Sequence, residues 1–240
     1  MRDRFSAVLK GGWSVGLLVA VLAGCATSPT ALPIPKPHAV LLAPTTVDTL
    51  MASDLRSGAP IVHQMIGQLL WEQDMQVNAP PLPEFYELWR QAAETTGSEA
   101  APVPLAVNDV AVRMLLDGLR ARGENFDALL VPYLTVRRGT VTGESVRWDG
   151  VARRLPFSYQ NRDPFLVAQR GVSAACTSLG VIAYGPHGER LFERIGGLEV
   201  AKRMWVDGHR RGWNDRDDLF QDENALRSGV KEALYPLLTN

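Results

Sequence analysis

The stretch HAVLLAP, residues 38–44, is a short apolar run that stops at a proline. A run of this length with no polar alternation is typical of a strand that is buried on both faces of a parallel sheet. Pro60 then stands where a helix can begin, and MQVNA (75–79) is a candidate second strand. Because parallel neighbours need a crossover connection, this opening predicts a strand–helix–strand unit.

Two more helices are predicted before the chain returns to strands. PEFYELWRQAAETTG (83–97) places Phe85, Leu88 and Ala92 on one helical face, and Gly97 can end that helix. After a loop, Asn108 can cap a third helix that Gly123 ends.

The second half of the chain has the pattern of an antiparallel meander. FDALLVPYLTV (126–136) reads as a central strand, although Pro132 suggests an edge or a bulge because proline cannot donate a ladder hydrogen bond. Asp149-Gly150 and GPHG (185–188) are hairpin turn signals. Asp222 can then cap a C-terminal helix, which Pro236 bends or ends.

These elements predict a mixed α/β fold. We expect a single domain with one mixed β-sheet of about five to six strands, covered by helices, with the C-terminal helix docked on the sheet. A chain of this length can bury a substantial core.

The N-terminus has the pattern of an export signal. Arg2, Arg4 and Lys10 precede an apolar segment, Trp13–Val21, which is too short to span a bilayer as a helix. LAGC (22–25) resembles the lipobox of bacterial lipoproteins. The resemblance implies that residues 1–24 are a signal peptide, that cleavage precedes Cys25, and that Cys25 is lipidated. Ala26, by resemblance to the enterobacterial sorting rule, implies the outer membrane.

The predicted domain boundaries follow from this signal. Residues 25–37 hold the lipidated cysteine and a Pro-rich tether of about 37 Å if it is extended as polyproline, and residues 38–240 form the periplasmic domain. Without the signal, the chain carries 22 basic and 25 acidic residues, for a net charge of −3. This balance excludes the basic footprint of nucleic-acid binders.

No stretch carries a complete catalytic, metal-binding or cofactor-binding pattern. Cys176 lies in an apolar strand pattern and reads as a small buried residue. GVSAA (171–175) lacks the second glycine of a serine-hydrolase elbow. The four histidines show no zinc spacing, and NDRDDLFQDE (214–223) lacks the central glycine of a calcium loop. We expect its acidic side chains, Asp217, Asp218, Asp222 and Glu223, to favour the N-terminus of the helix that follows. We expect no enzyme activity, no metal and no cofactor.

The segment AKRMWVDGHRRGWND (201–215) is the candidate partner-binding site, and we place it on a loop. Aromatic and arginine side chains are typical of interface hot spots. The alternative is a solvated loop whose tryptophans pack back on the core. The candidate residues are Arg203, Trp205, Arg210, Arg211 and Trp213.

The element order, the opening strand that ends in proline and the lipid anchor together resemble a group of envelope proteins. These are the N-terminal domain of the Tol propeller protein, the curli-secretion lipoprotein and the lipoprotein activator of penicillin-binding proteins. The resemblance implies a binding, assembly or regulatory module of the cell envelope, with an envelope protein or peptidoglycan as partner. Two alternatives stay open: a subunit of an oligomeric secretion pore, and a cell-wall or lipid hydrolase.

Overall fold

The computed structural model describes residues 35–47, 55–97, 108–159, 173–207 and 210–238. These residues belong to one compact unit, Pro33–Asn240. The predicted signal peptide and Cys25 lie outside the described residues. None of the helices within the described part is long and apolar enough to cross a membrane.

The first half of the unit alternates strands and helices, as the sequence predicts. Asn108 caps the third helix, because its side chain accepts a hydrogen bond from the Val110 N–H, and Gly97 ends the second helix in the left-handed conformation. The elements are β1 (Ala39–Leu42), β2 (Thr46–Val47), α1 (Gly58–Trp71), β3 (Gln76–Asn78), α2 (Leu82–Thr96) and α3 (Asp109–Ala121).

The second half is an antiparallel meander followed by two short helices. Asp149 and Gly150 have positive φ angles of 35° and 79°, as a type I′ hairpin turn requires. The elements are β4 (Ala128–Thr142), β5 (Ser145–Trp148), β6 (Val151–Arg154), β7 (Phe157–Tyr159), β8 (Ser173–Tyr184), β9 (Arg190–Val200), β10 (Lys202–Asp207), β11 (Arg210–Asp215), α4 (Glu223–Ala233) and α5 (Tyr235–Leu238).

The main sheet is mixed, which confirms the predicted fold class. Strand β1 lies between β3 and β4 and is parallel to both, with Val40 opposite Val77 and Ala128. Strand β8 is antiparallel to β4, and β9 is antiparallel to β8. Strand β2 pairs with β4, β5 pairs with the far end of β4, and β6 pairs with β5.

The number of strands differs from the prediction of five to six. The main sheet has eight strands, and β11, β10 and β7 form a second sheet of three. The physical reason is the length of β4, which spans 15 residues. Its first half pairs with β1 and β2, and its last residues still extend far enough to pair with β5.

Pro132 lies in the middle of the central strand β4, so the expectation of an edge or a bulge was wrong. The Leu130 carbonyl accepts a hydrogen bond from the Ala43 N–H, and the Pro132 carbonyl accepts one from the Thr46 hydroxyl. The backbone of Pro132 therefore faces the gap between β1 and β2. Position 132 lies between the residues of β4 that pair with β1 (128–130) and those that pair with β2 (133–134), where a proline can be accommodated.

Helices cover both faces of the main sheet. On one face, α1 and α4 pack on a core that includes Leu42, Leu134 and Val181, and on the other, α2 and α3 pack on Leu41, Leu129 and Ile182. The predicted docking of the C-terminal helix on the sheet is confirmed. Leu226, Val230 and Leu234 of this region are almost fully buried.

Candidate functional site

The basic, tryptophan-bearing segment forms a β-hairpin, so its prediction as a loop was wrong. Strands β10 and β11 pair antiparallel, with Met204 opposite Trp213 and Trp205 opposite Gly212. Strand β10 also pairs with β7 in parallel. We call β10 and β11 the basic hairpin. We expected a loop because Gly208 and Gly212 adjoin the arginines, but the β-forming residues of this segment pair in a regular ladder.

The hairpin separates the two candidate tryptophans onto opposite faces. Trp213 shares a face with the buried Met204 and packs against a third core cluster that contains Leu155, Cys176 and Val200. Trp205 lies on the other face over Gly212, where a Cβ atom would come 2.6 Å from its ring. Trp213 is therefore part of the core boundary, and Trp205 is the tryptophan of the outer face.

The candidate arginines have different surroundings. The Arg203 guanidinium donates to Asp218 at 3.2 Å and lies 3.8 Å from Asp217. Arg210 is exposed. The backbone of Arg211 pairs with Val206, and its side chain lies outside what the structure describes. Within the described part of the hairpin, the structure thus brings Arg203, Trp205 and Arg210 to one outer face.

A buried ion pair joins the main sheet to the segment that follows the hairpin. Glu199 of β9 is 3% exposed, and its Oε2 lies 3.2 Å from Nη2 of Arg216. The two carboxylate oxygens also accept the N–H groups of Phe220 and Asp222 at 3.3 Å and 3.2 Å. Burial raises the pKa of Glu199, and the charge of Arg216 opposes this rise.

Arg216 is the centre of a larger network. It donates to the Val200 carbonyl at 2.8 Å and to the Asp218 carboxylate at 2.8 Å. The hydrogen bond from Arg216 is the main reason that the pKa of Asp218 lies below its ordinary value. Because Arg203 binds the same carboxylate, the network holds the outer face of the hairpin in a fixed relation to β9.

A cleft of about 250 Å³ opens beside this network. Arg153 lies in the wall of the cleft and donates hydrogen bonds to the Leu198 carbonyl at 3.4 Å and to the Ala225 carbonyl at 3.0 Å. Arg154 is mostly exposed and pairs with Glu144. The lining residues are Arg153, Arg154, Pro156, Leu198, Glu199, Val200, Arg216, Asp222 and Ala225.

Three guanidinium groups line the cleft, and each of them has a protein partner. Guanidinium groups bind carboxylate or phosphate with directional hydrogen bonds. Among the described residues that line the cleft there is no serine, threonine, cysteine, histidine or lysine. Its lining therefore contributes no side-chain nucleophile of these types.

The other reactive side chains have structural surroundings. Cys176 is fully buried and free, and burial raises the pKa of its thiol to about 12. The Ser178 hydroxyl donates to Asp149 at 2.7 Å, which ties the β5–β6 turn to β8. His63 contacts the Thr45 hydroxyl at 3.3 Å, and partial burial lowers its pKa.

The acidic side chains before α4 bind neighbouring N–H groups and arginines. Asp222 caps α4 by accepting the Ala225 N–H at 3.0 Å, as predicted. Asp217 and Asp218 instead face arginines, so the expectation that they favour the helix N-terminus was wrong. Residues 217 and 218 precede the cap residue Asp222, and they form ion pairs with Arg203 and Arg216 instead. In the described residues, no group of three or more His, Cys, Asp or Glu side chains is placed to hold a metal ion.

Sequence reasoning missed Glu199, Arg216 and Arg153. The only local signal was a glutamate inside the apolar run GGLEV of β9, which indicates a buried charge with a partner. Comparisons with protein-family models and with curated proteins gave no match to this chain.

Proposed function

We propose that this protein is an outer-membrane lipoprotein whose periplasmic domain is a non-catalytic binding or assembly module of the cell envelope. The observation that carries the proposal is the LAGC sequence at residues 22–25, which follows a short apolar core and precedes a Pro-rich segment. Attachment of a lipid group needs a nucleophile, and a thiol is the best nucleophile among the side chains. Several acyl chains on one residue give a stable membrane anchor.

The domain architecture supports a module that is presented from a membrane. The first strand begins at Ala39, fourteen positions after Cys25, so only a short connecting segment separates the fold from the anchor. The other cysteine, Cys176, is buried in the core with a pKa of about 12. It is therefore poorly suited to accept a lipid or to act as a thiolate nucleophile near neutral pH.

The outer face of the basic hairpin and the adjoining cleft are the proposed binding surface. Arg203, Trp205 and Arg210 provide the residue types that interface hot spots use. The ion pairs among Arg203, Arg216 and Asp218 restrict the motion of this surface, which reduces the conformational entropy that is lost on binding. An anionic envelope protein or the carboxylates of peptidoglycan fit this chemistry.

The test is metabolic labelling with a fatty-acid probe in a bacterial host. We expect the wild-type protein to be labelled and to fractionate with membranes. Cys25→Ser should lose the label and accumulate as precursor or as soluble protein. Cys176→Ala is the matched control, because it removes the other cysteine and should keep the label. Labelled Cys25→Ser protein would overturn the proposal.

A further inference from the structure

The end of the domain at which the tether enters carries a highly exposed tryptophan. Trp71, the last residue of α1, is 73% exposed, the largest value among the exposed large apolar side chains of the described residues. The chain turns back directly after it, with the Asp74 N–H donating to the Trp71 carbonyl at 2.9 Å. Two residues later the Gln76 N–H donates to the His38 carbonyl at 2.8 Å. Trp71 and the start of the domain at His38 therefore lie at the same end of the sheet.

Two basic side chains of α4 act on Glu72, the residue that follows Trp71 in the sequence. Arg227 donates a hydrogen bond to the carboxylate of Glu72, the neighbour of Trp71. That hydrogen bond is the main reason that the pKa of Glu72 is lowered, and the positive charge of the exposed Lys231 lowers this pKa further. We call Trp71, Arg227 and Lys231 the tether-end patch.

The charges at this end of the domain are balanced. The acidic groups are Glu72, which Arg227 already binds, the exposed Asp74, and Asp127, whose carboxylate accepts the N–H groups of His38 and Ala39. Besides Arg227 and Lys231, the exposed Lys36 adds a positive charge just before the first strand. The positive charge of the patch is therefore local to Arg227 and Lys231.

The length of chain that precedes the domain fixes which end stays near the anchor. Ten residue steps separate Cys25 from Pro35, so this segment reaches at most about 36 Å even when fully extended. A compact domain of about 200 residues has a radius of gyration of roughly 17 Å and is therefore roughly 40 Å across. The end that carries His38 and Trp71 is thus held within about 36 Å of the anchor.

We propose that the tether-end patch docks the domain on the lipid headgroup surface, with Trp71 inserted at the interface. This inference rests on the proposed lipid anchor at Cys25. Tryptophan prefers the membrane–water interface because its ring is apolar and its N–H is polar. Arg227 and Lys231 would add attraction to anionic headgroups.

The test uses the purified, full-length lipoprotein in vesicles of phosphatidylethanolamine and phosphatidylglycerol that contain brominated lipid. Bromine quenches only tryptophans that contact the lipid. Processing before Cys25 would leave five of the six tryptophans, so we expect quenching of up to about one fifth of the emission. Trp71→Phe should abolish this quenching. The control Trp89→Phe should keep it, because Trp89 stacks on Phe85, within the α2–α3 side of the fold.

Charge dependence is the second readout. Lys231→Glu should reduce the quenching at least twofold in vesicles with phosphatidylglycerol and should change it little in pure phosphatidylcholine. Each variant is checked by circular dichroism, so that loss of folding is separated from loss of docking.

The outcomes distinguish the two proposals. A protein that carries acyl chains and floats with the vesicles, but whose emission is not quenched, overturns the docking inference and leaves the proposed function standing. The same holds if Trp71→Phe leaves the quenching unchanged. A protein that carries no acyl chain and does not float overturns both.

Discussion

The carboxylate of Glu199 and the guanidinium of Arg216 form a buried ion pair at 3.2 Å, although 17 positions separate them in the sequence. Both side chains are nearly covered, at 3% and 11% exposure. The pair joins the last strand of the main sheet to the segment between the basic hairpin and α4. A buried charge that loses its partner is strongly destabilising, so this contact makes the position of the hairpin depend on β9.

The first prediction concerns the pH dependence of stability. Because burial raises the pKa of Glu199 above its ordinary value of 4.5, the folded chain holds this proton more tightly than the unfolded chain does. The contribution of Glu199 to the free energy of unfolding is therefore largest below pH 4.5 and declines as the pH rises through the folded-state pKa. Each pKa unit of difference corresponds to about 1.4 kcal/mol.

Glu199→Gln removes this titration and gives the matched comparison. Denaturant unfolding is measured for both proteins from about pH 4 to about pH 8. We expect the wild-type free energy of unfolding to fall relative to that of the variant as the pH rises. Two curves that stay parallel over the whole range would show that Glu199 does not titrate as described.

The second prediction concerns the close approach of α4 to β9. A Cβ atom at Gly196 would overlap the Gly229 carbonyl oxygen, and one at Gly229 would overlap the Gly197 carbonyl oxygen. Gly229→Ala should therefore lower the free energy of unfolding by about 1–3 kcal/mol or more, as overpacking does. Gly67→Ala is the control, because a Cβ at Gly67 meets open space in α1. It should stabilise the protein by about 0.5–1 kcal/mol. Equal effects at the two sites would contradict the packing of α4.

The third prediction tests the burial of the C-terminal region. Leu234 is 0% exposed, so Leu234→Ala should lower the free energy of unfolding by about 2–5 kcal/mol. Leu82→Ala removes the same atoms from a leucine that is 56% exposed, and it should change stability by less than about 0.5 kcal/mol. If Leu234→Ala had an effect as small as that of Leu82→Ala, the C-terminal end of α4, which Leu234 caps, would not be packed on the sheet.

The fourth prediction separates binding from folding at the basic hairpin. Reversal of the exposed Arg210 to Glu should leave the melting temperature nearly unchanged, because surface charge changes usually alter stability by less than about 0.5 kcal/mol. It should weaken the capture of an anionic envelope partner, because repulsion replaces attraction. The measurements are thermal unfolding and crosslinking in the native envelope followed by mass spectrometry.

Two results would count against this surface. Easy unfolding of the Arg210→Glu variant would assign this arginine to the fold. Normal folding with an unchanged set of crosslinked partners would identify the outer face as solvated surface. A ring-sized particle in mild detergent would instead favour the pore-subunit alternative.

The helices and hairpins could be predicted because their signals are local. Asn108 and Asp222 cap helices with their own side chains, and Asp149-Gly150 forms the turn that its positive φ angles require. The same reasoning could have found the basic hairpin. Asp207-Gly208 lies between β-forming residues in the same way, but Gly208 and Gly212, which adjoin the two arginines, led us to expect a loop.

The remaining features depend on contacts between distant residues. Pro132 lies in a central strand at the position between the pairing of β1 and that of β2, which no local pattern reveals. The Glu199–Arg216 pair and the Arg153 bridge to Ala225 likewise depend on how β9, β6 and α4 come together. The sequence therefore predicted the fold class and the elements that have local signals, whereas the number of strands, the basic hairpin and the arrangement of the candidate site required the structure.

The most direct measurement is the intact mass of the protein purified from bacterial membranes. The account predicts a chain that begins at Cys25 and carries the added mass of a diacylglyceryl thioether and an N-linked acyl group. Digestion should place the whole addition on the peptide that starts with Cys25. A mature chain that begins elsewhere, or one that begins at Cys25 without lipid, would contradict the central claim.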